Sequence, residues 1–273
     1  VVGLSEGITM LKKNLFIGYI VFIHLFLLLV LAKSDFITHV GYRVGLIRKP
    51  EITEHFERML RYHKRMDADV PDRAVIFIGD SITQGLCVSA VATPSVNYGI
   101  GSDTTVGVLK RLPEYHSLKR SSVCVLAIGI NDLQYRSNEE ILKNYSSILQ
   151  TVPPLVPIVF SAVLPVDERV HPNDHAGMNM RIRALNSHLK ALCEAQIPKC
   201  TFLDTGFKLI DSTGNLRKEY HEGDGVHLNG AGNSVWIQDL KGIIQKAQPT
   251  ATHGLLGPHF RGNLSVQLGP SSR

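Results

Sequence analysis

Gly79-Asp80-Ser81-Ile82-Thr83 follows directly on an apolar run, residues 74–79, and so sets a serine where a strand turns into a helix. The free N–H groups of a helix start stabilise developing negative charge, which makes Ser81 a candidate nucleophile. The same tripeptide also serves as a helix cap. Far downstream, Asp224-Gly225-Val226-His227 holds a carboxylate and an imidazole with two residues between them. A general-base histidine needs a carboxylate to fix its tautomer and stabilise its charged form, and one turn presents both side chains to the same point. The plainer reading of Asp224 and His227 is a polar turn leading into a helix.

Two further segments lie between these. Asn97-Tyr98-Gly99-Ile100-Gly101-Ser102-Asp103-Thr104-Thr105 and Gly129-Ile130-Asn131-Asp132 each follow an apolar run. The amide of Asn131 and main-chain N–H groups near Gly101 and Ser102 could converge on an oxyanion. A dinucleotide loop is the alternative for the first segment, but its third glycine is missing, with Thr104 in that place. For the second the alternative is an Asn helix cap. Asp80 and Asp132 read as acceptors for backbone groups near the turns. His171 and His175, with Asp167 and Asp174, invite a metal reading. Pro172 and Asn173 break the helix that would align the two imidazoles, so a solvated loop suited to substrate selection is preferred.

These residues need a scaffold that brings them to one edge. Residues 74–79, 123–129 and 157–163 are short, continuously apolar, β-branched runs, as in strands buried on both faces, and 95–98 and 200–204 are shorter companions. Helical stretches fit near 104–112, 138–150, 179–195 and 229–245. This alternation predicts an α/β fold, a parallel sheet covered by helices on both faces, with ligands bound beyond the carboxyl ends of the strands. Residues 165–178 read as a polar loop at that end. Residues 51–66 predict a helix with Phe56, Leu60 and His63 on its packing stripe, resting on the domain in preference to a membrane surface.

Ahead of this domain, residues 15–32 are apolar save for Gly18, Tyr19 and His24, and lysines flank them. At about 1.5 Å per residue the run approaches the thickness of a bilayer. A retained transmembrane anchor over 14–33 is favoured over a cleaved signal segment ending after Ala32, with a short segment 1–13 before it; Met10 would make a natural start. Residues 34–72 form a linker with the amphipathic helix, 73–247 the catalytic domain, and 248–273, rich in Pro, Gly, Ser and Thr, a disordered tail.

The four motifs together resemble the SGNH (GDSL-type) hydrolase family. They occur in the family's order, each at a predicted strand end, across roughly 73–245. The resemblance implies a three-layer α/β/α sandwich with a five-stranded flavodoxin-like sheet, and esterase-type acyl hydrolysis. Ser81 would attack, His227 would relay the proton, and Asp224 would orient His227. The oxyanion would be held by the Ser81 N–H, the Asn131 side chain and an N–H from the second block. There the sequence departs from the family, whose glycine before the Asp is replaced by Ser102, with Gly101 one earlier. Ser102 can supply the N–H provided the turn does not need positive φ.

The net charge of +5 does not signal a nucleic-acid partner. Residues 1–73 contribute +3 and 246–273 another +3, leaving 74–245 at −1. The expected partners are a small-molecule, lipid or glycan ester and a membrane, with no cofactor and no metal. The domain is expected on the exported side, where Cys193 and Cys200 would pair or remain free thiols. An acyltransferase of the same fold, or a non-catalytic binding module, are the alternatives, the latter disfavoured by the co-occurrence of Ser81, Asp224 and His227.

Overall fold

The computed structural model describes residues 2–247, apart from 35, 44, 45, 47–49 and 198; the tail 248–273 lies outside the described residues. The chain divides into two compact units, one up to Thr53 and one from Glu54 onward.

The first unit holds α1 (Val2–Lys33) and α2 (Phe36–Arg43). Within α1 the segment Lys12–Lys33 contains an 18-residue window with a mean hydropathy of 2.8, and its large apolar side chains are mostly exposed. At about 1.5 Å per residue the segment is long enough to cross a bilayer, and a signal sequence has the same character.

The second unit begins with α3 (Glu54–Asp67) and alternates thereafter. In order come β1 (Val75–Gly79), α4 (Ser81–Gln84), β2 (Ser95–Gly99), α5 (Thr105–Arg111), β3 (Val123–Ala127), α6 (Asn138–Thr151) and β4 (Ile158–Ser161). Then follow α7 (Pro172–His175), α8 (Met178–Glu194), β5 (Cys200–Leu203), α9 (Gly206–Leu209) and α10 (Gly230–Ala247). The five strands form one sheet in the order β2-β1-β3-β4-β5, and every pair is parallel. Gly79 sits level with Gly99 on one side and Ala127 on the other, so the first three chemistry-bearing loops leave the sheet side by side.

Strand alternation assigns the two faces. Val75, Phe77, Val123, Val125 and Val159 point one way and pack with Trp236, Leu240 and Ile244 of α10. Trp236 Nε1 donates to Ser161 Oγ at 3.2 Å, which satisfies the indole where it is buried. Ile76, Ile78, Cys124, Leu126, Ile158 and Phe160, the intervening positions, are buried on the opposite face, where Tyr145 of α6 meets Phe160 edge-on at 5.0 Å. The N-terminus of α6 carries a capping box between Ser137 and Glu140.

Helix α3 buries Phe56, Leu60, His63 and Asp67. The Asp67 carboxylate accepts from Tyr98 Oη at 2.8 Å and from the N–H groups of His116 and Ser117, which fastens this helix to the domain. Cys193 and Cys200 are disulfide-bonded, joining the end of α8 to β5, while Cys124 is a buried thiol and Cys87 an exposed one.

Residues 168–177 are largely solvent-exposed, as expected of a polar loop, whereas the start of the segment is not. Pro165, Val166 and Asp167 are buried, and the Asn179 amide holds both backbone groups of Val166 at 2.9 and 2.8 Å. Pro172 and Asn173 do not break a helix but start the short α7, because proline at a helix start forfeits no intrahelical bond.

Candidate active site

Ser81 is the first residue of α4, immediately beyond β1. The turn is tight: a Cβ on Gly79 would lie 2.1 Å from Thr83 Oγ1 and 2.2 Å from the Ala127 carbonyl, so only glycine fits. Asp80 caps α4, its carboxylate accepting the Ile82 N–H at 3.0 Å. It is the expected backbone acceptor, and capping falls to Asp80, leaving the Ser81 hydroxyl for another partner.

That partner is His227. Its Nε2 lies 2.8 Å from Ser81 Oγ, and its Nδ1 lies 2.5 Å from Asp224 Oδ2. The other oxygen of Asp224 accepts the N–H groups of Val226 and His227, each at 2.9 Å, so the turn that carries the pair also fixes its carboxylate. Partial burial works against the charge of Asp224, but the hydrogen bonds from His227 and the two N–H groups prevail and hold its carboxyl at about 2. A hydroxyl bonded to an imidazole, itself bonded to an ionised carboxylate, is an arrangement that can deprotonate the hydroxyl as it attacks a carbonyl.

The second and third segments close around the same strand ends. Asn131 Nδ2 donates to the Asp103 carbonyl at 2.9 Å, which uses one of its two amide hydrogens. Asn97 ties β2 to α4, its amide donating to the carbonyls of Thr83 at 2.7 Å and Leu86 at 3.0 Å. The N–H of Gly101 donates to Gln84 Oε1 at 2.6 Å. Ser81 and Ser102 have main-chain N–H groups with no hydrogen-bond partner among the described residues. Of the two second-block candidates, Gly101 is therefore the one already engaged, and Ser102 is the one with an N–H to offer. Ser102 has φ +62°, so the turn does need the left-handed conformation that its family position reserves for glycine, and the serine adopts it.

Beneath these loops lies a buried charged cluster that sequence reasoning did not find. Arg111, fully buried in the last turn of α5, donates to Asp103 Oδ2 at 2.8 Å, to the Tyr98 carbonyl at 2.6 Å and to the Gly79 carbonyl at 3.0 Å. One guanidinium thus joins the ends of β1 and β2 to the loop whose carbonyl orients Asn131. Burial pushes the Asp103 carboxyl up to about 6 against the opposing pull of Arg111. Burial likewise raises Asp80 to about 7, with the charges of Asp103 and Asp132 adding to it and the Ile82 N–H and His227 opposing. Asp132 accepts from Thr105 through both N–H and hydroxyl, as expected of a backbone acceptor. Nothing in sequence spacing marks Arg111, since its partners lie 8, 13 and 32 residues away. His171 and His175 stack edge-to-face at 5.6 Å, and no group of metal-binding side chains occurs among the described residues.

A serine, a histidine and a carboxylate are thus joined at the carboxyl edge of a parallel five-stranded α/β sheet. Comparison with known proteins gives the family. The GDSL-like lipase/acylhydrolase family is matched over residues 77–235. Platelet-activating factor acetylhydrolase IB subunit alpha1 of Rattus norvegicus is 30% identical over 201 residues, which cover 68% of this chain and 82% of that protein. The alpha2 subunit of Homo sapiens is 27% identical over 207 residues, covering 70% and 85%. A solved structure of a protein from Streptococcus pneumonia aligns with a TM-score of 0.65 at 26% identity, covering 78% of this chain and 100% of that one. The chain belongs to the GDSL-like lipase/acylhydrolase family and is an ester-hydrolysing enzyme.

Proposed function

We propose that the protein is a serine esterase in which Ser81 is the nucleophile, His227 the general base and acid, and Asp224 the residue that orients and charges His227. The observation that carries this reading is the continuous hydrogen-bonded path from Ser81 Oγ through the His227 ring to Asp224. Ser81 Oγ attacks the ester carbonyl carbon as its proton passes to His227 Nε2. The carbonyl oxygen becomes an oxyanion, held by the N–H groups of Ser81 and Ser102 and by the second hydrogen of the Asn131 amide. Collapse breaks the ester C–O bond, and the leaving alcohol takes the proton from His227. Water then gives a proton to His227 and attacks the acyl-enzyme, releasing the acid and restoring Ser81.

The substrate is a small-molecule, lipid or glycan ester of a carboxylic acid. The mammalian relatives are acetylhydrolases by name, which favours an acetyl ester. The catalytic domain spans 73–247, and the segment 14–33 within α1 is its single-pass anchor, with secretion after cleavage as the alternative. The Cys193–Cys200 disulfide fits an oxidising, exported side.

The test is p-nitrophenyl acetate hydrolysis by the detergent-solubilised full chain beside Ser81→Ala and His227→Ala. Each substitution is expected to lower kcat by at least about 10³-fold. A parent that releases nitrophenol no faster than its variants would refute the assignment.

A further inference from the structure

The segment that carries Asp224 and His227 is wound around one buried side chain. His221, whose side chain is 2% exposed, accepts at Nδ1 from the N–H of Gly223 at 3.0 Å and from the N–H of Gly225 at 3.1 Å. These are the residues on either side of Asp224, so both flanks of the carboxylate are tied to a single ring nitrogen. Gly223 and Gly225 have φ of +102° and +77°, conformations that let the backbone curl around the ring. A Cβ on Gly225 would come within 2.8 Å of the Asp167 carbonyl, so the loop is pressed against its neighbour as well.

The base of the loop closes on the same residue. His221 and Leu228 form an antiparallel bridge, and Glu222 N–H donates to the carbonyl of His227 at 2.9 Å. Asn229 Nδ2 donates to the His221 carbonyl at 3.2 Å, and its Oδ1 accepts the N–H groups of Ala231 and Gly232 at the start of α10.

The hydrogen bonds dictate the ring's state. A nitrogen that accepts two N–H groups carries no proton, so the neutral imidazole bears its hydrogen on Nε2. That buried Nε2 has no hydrogen-bond partner and faces Asp167 Oδ2 at 3.6 Å. Asp167 is in turn gripped by Arg169 at 2.7 and 3.0 Å, and Arg169 pairs with Asp211 at 3.0 Å.

We infer that His221 is a positioning residue for hydrolysis: its buried ring, accepting at Nδ1 from both flanks of Asp224, holds the Gly223–Asp224–Gly225 arc and so aims Asp224 and His227 at Ser81. The inference rests on the proposed roles of Ser81, Asp224 and His227.

Three substitutions separate an acceptor at the right place from mere bulk. The amide oxygen of Asn falls near the site of Nδ1, that of Gln near Nε2, and Phe offers neither. In the detergent-solubilised full chain, His221→Asn is expected to keep kcat for p-nitrophenyl acetate within about threefold, while His221→Gln and His221→Phe lose at least about 30-fold in kcat with KM changed less than about twofold. Hydrogen–deuterium exchange of the segment 221–228 is expected to quicken in the Gln and Phe variants and to stay slow in the Asn variant. Parent-like kcat in His221→Gln or His221→Phe overturns the inference. So does a loss in His221→Asn equal to that in Gln, or a loss that follows the unfolded fraction seen by circular dichroism. Ser81→Ala is the control: activity surviving there sinks the triad itself, and the exchange measurement still judges His221.

Discussion

Asn131 donates its side-chain amide to the main-chain carbonyl of Asp103 at 2.9 Å, so the residue offered to an oxyanion is itself held by the loop opposite. A preorganised donor lowers a transition state without first having to be ordered. Asn131→Ala is therefore expected to reduce kcat on p-nitrophenyl acetate by about 10²–10³-fold with little change in KM. Steady-state kinetics check it, and a loss smaller than about threefold would remove Asn131 from the oxyanion site.

Ser102 carries a side chain at φ +62°, where a Cβ crowds the backbone by about 1–2 kcal/mol. Glycine relieves that crowding but returns part of the gain as unfolded-chain entropy. Ser102→Gly should raise stability by about 0.5–1 kcal/mol and keep the N–H proposed for the oxyanion. Calorimetry is the measurement, and a lower Tm in the variant contradicts the expectation.

Asp80 links the site to pH. Burial raises its carboxyl from 3.8 to about 7. Between those values the folded chain keeps a proton that the unfolded chain has released, so stability falls as pH rises through this window. Asn at this position still accepts the Ile82 N–H and does not titrate. Asp80→Asn is expected to exceed the parent by about 1–3 kcal/mol at pH 8 and to match it near pH 4. Parallel melting curves for the two proteins across that range would show that burial of Asp80 carries no penalty.

The 22 residues Lys12–Lys33 lead to a prediction about partitioning. Membranes washed in carbonate should retain the full-length chain, whereas a chain starting at Ser34 should remain in the supernatant. Recovery of a shortened protein free in solution from cells expressing the full chain points to cleavage.

The central strands β1, β3 and β4 were legible because they are buried on both faces and so read as continuous apolar runs. The partly buried edge strands gave shorter ones. The 74–79 and 123–129 segments became Val75–Gly79 and Val123–Ala127, and 200–204 became Cys200–Leu203. Ser81, Asn131, Asp224 and His227, the residues of the proposed site, were legible as candidates because each is a chemical group beside a turn signal. What supports them was not. Arg111, Gln84 and His221 are ordinary polar residues in sequence, and their roles arise from partners the fold delivers. The φ of Ser102 had one mark, the glycine that the resembling family carries at this position; the serine itself gives none, being a rare occupant of that conformation. Within 165–178 the polar composition concealed two details: the backbone of Val166 held by the Asn179 amide, and a proline at a tolerated helix start.

Ser81 and His227 stand 146 residues apart in the chain. At about 5–20 residues per second the ribosome delivers the proposed nucleophile roughly 7–30 s before the proposed base. The apolar N-terminal helix emerges before either. On the proposed reading the nascent chain is inert, and esterase activity switches on only when the last part of the domain folds back onto the first.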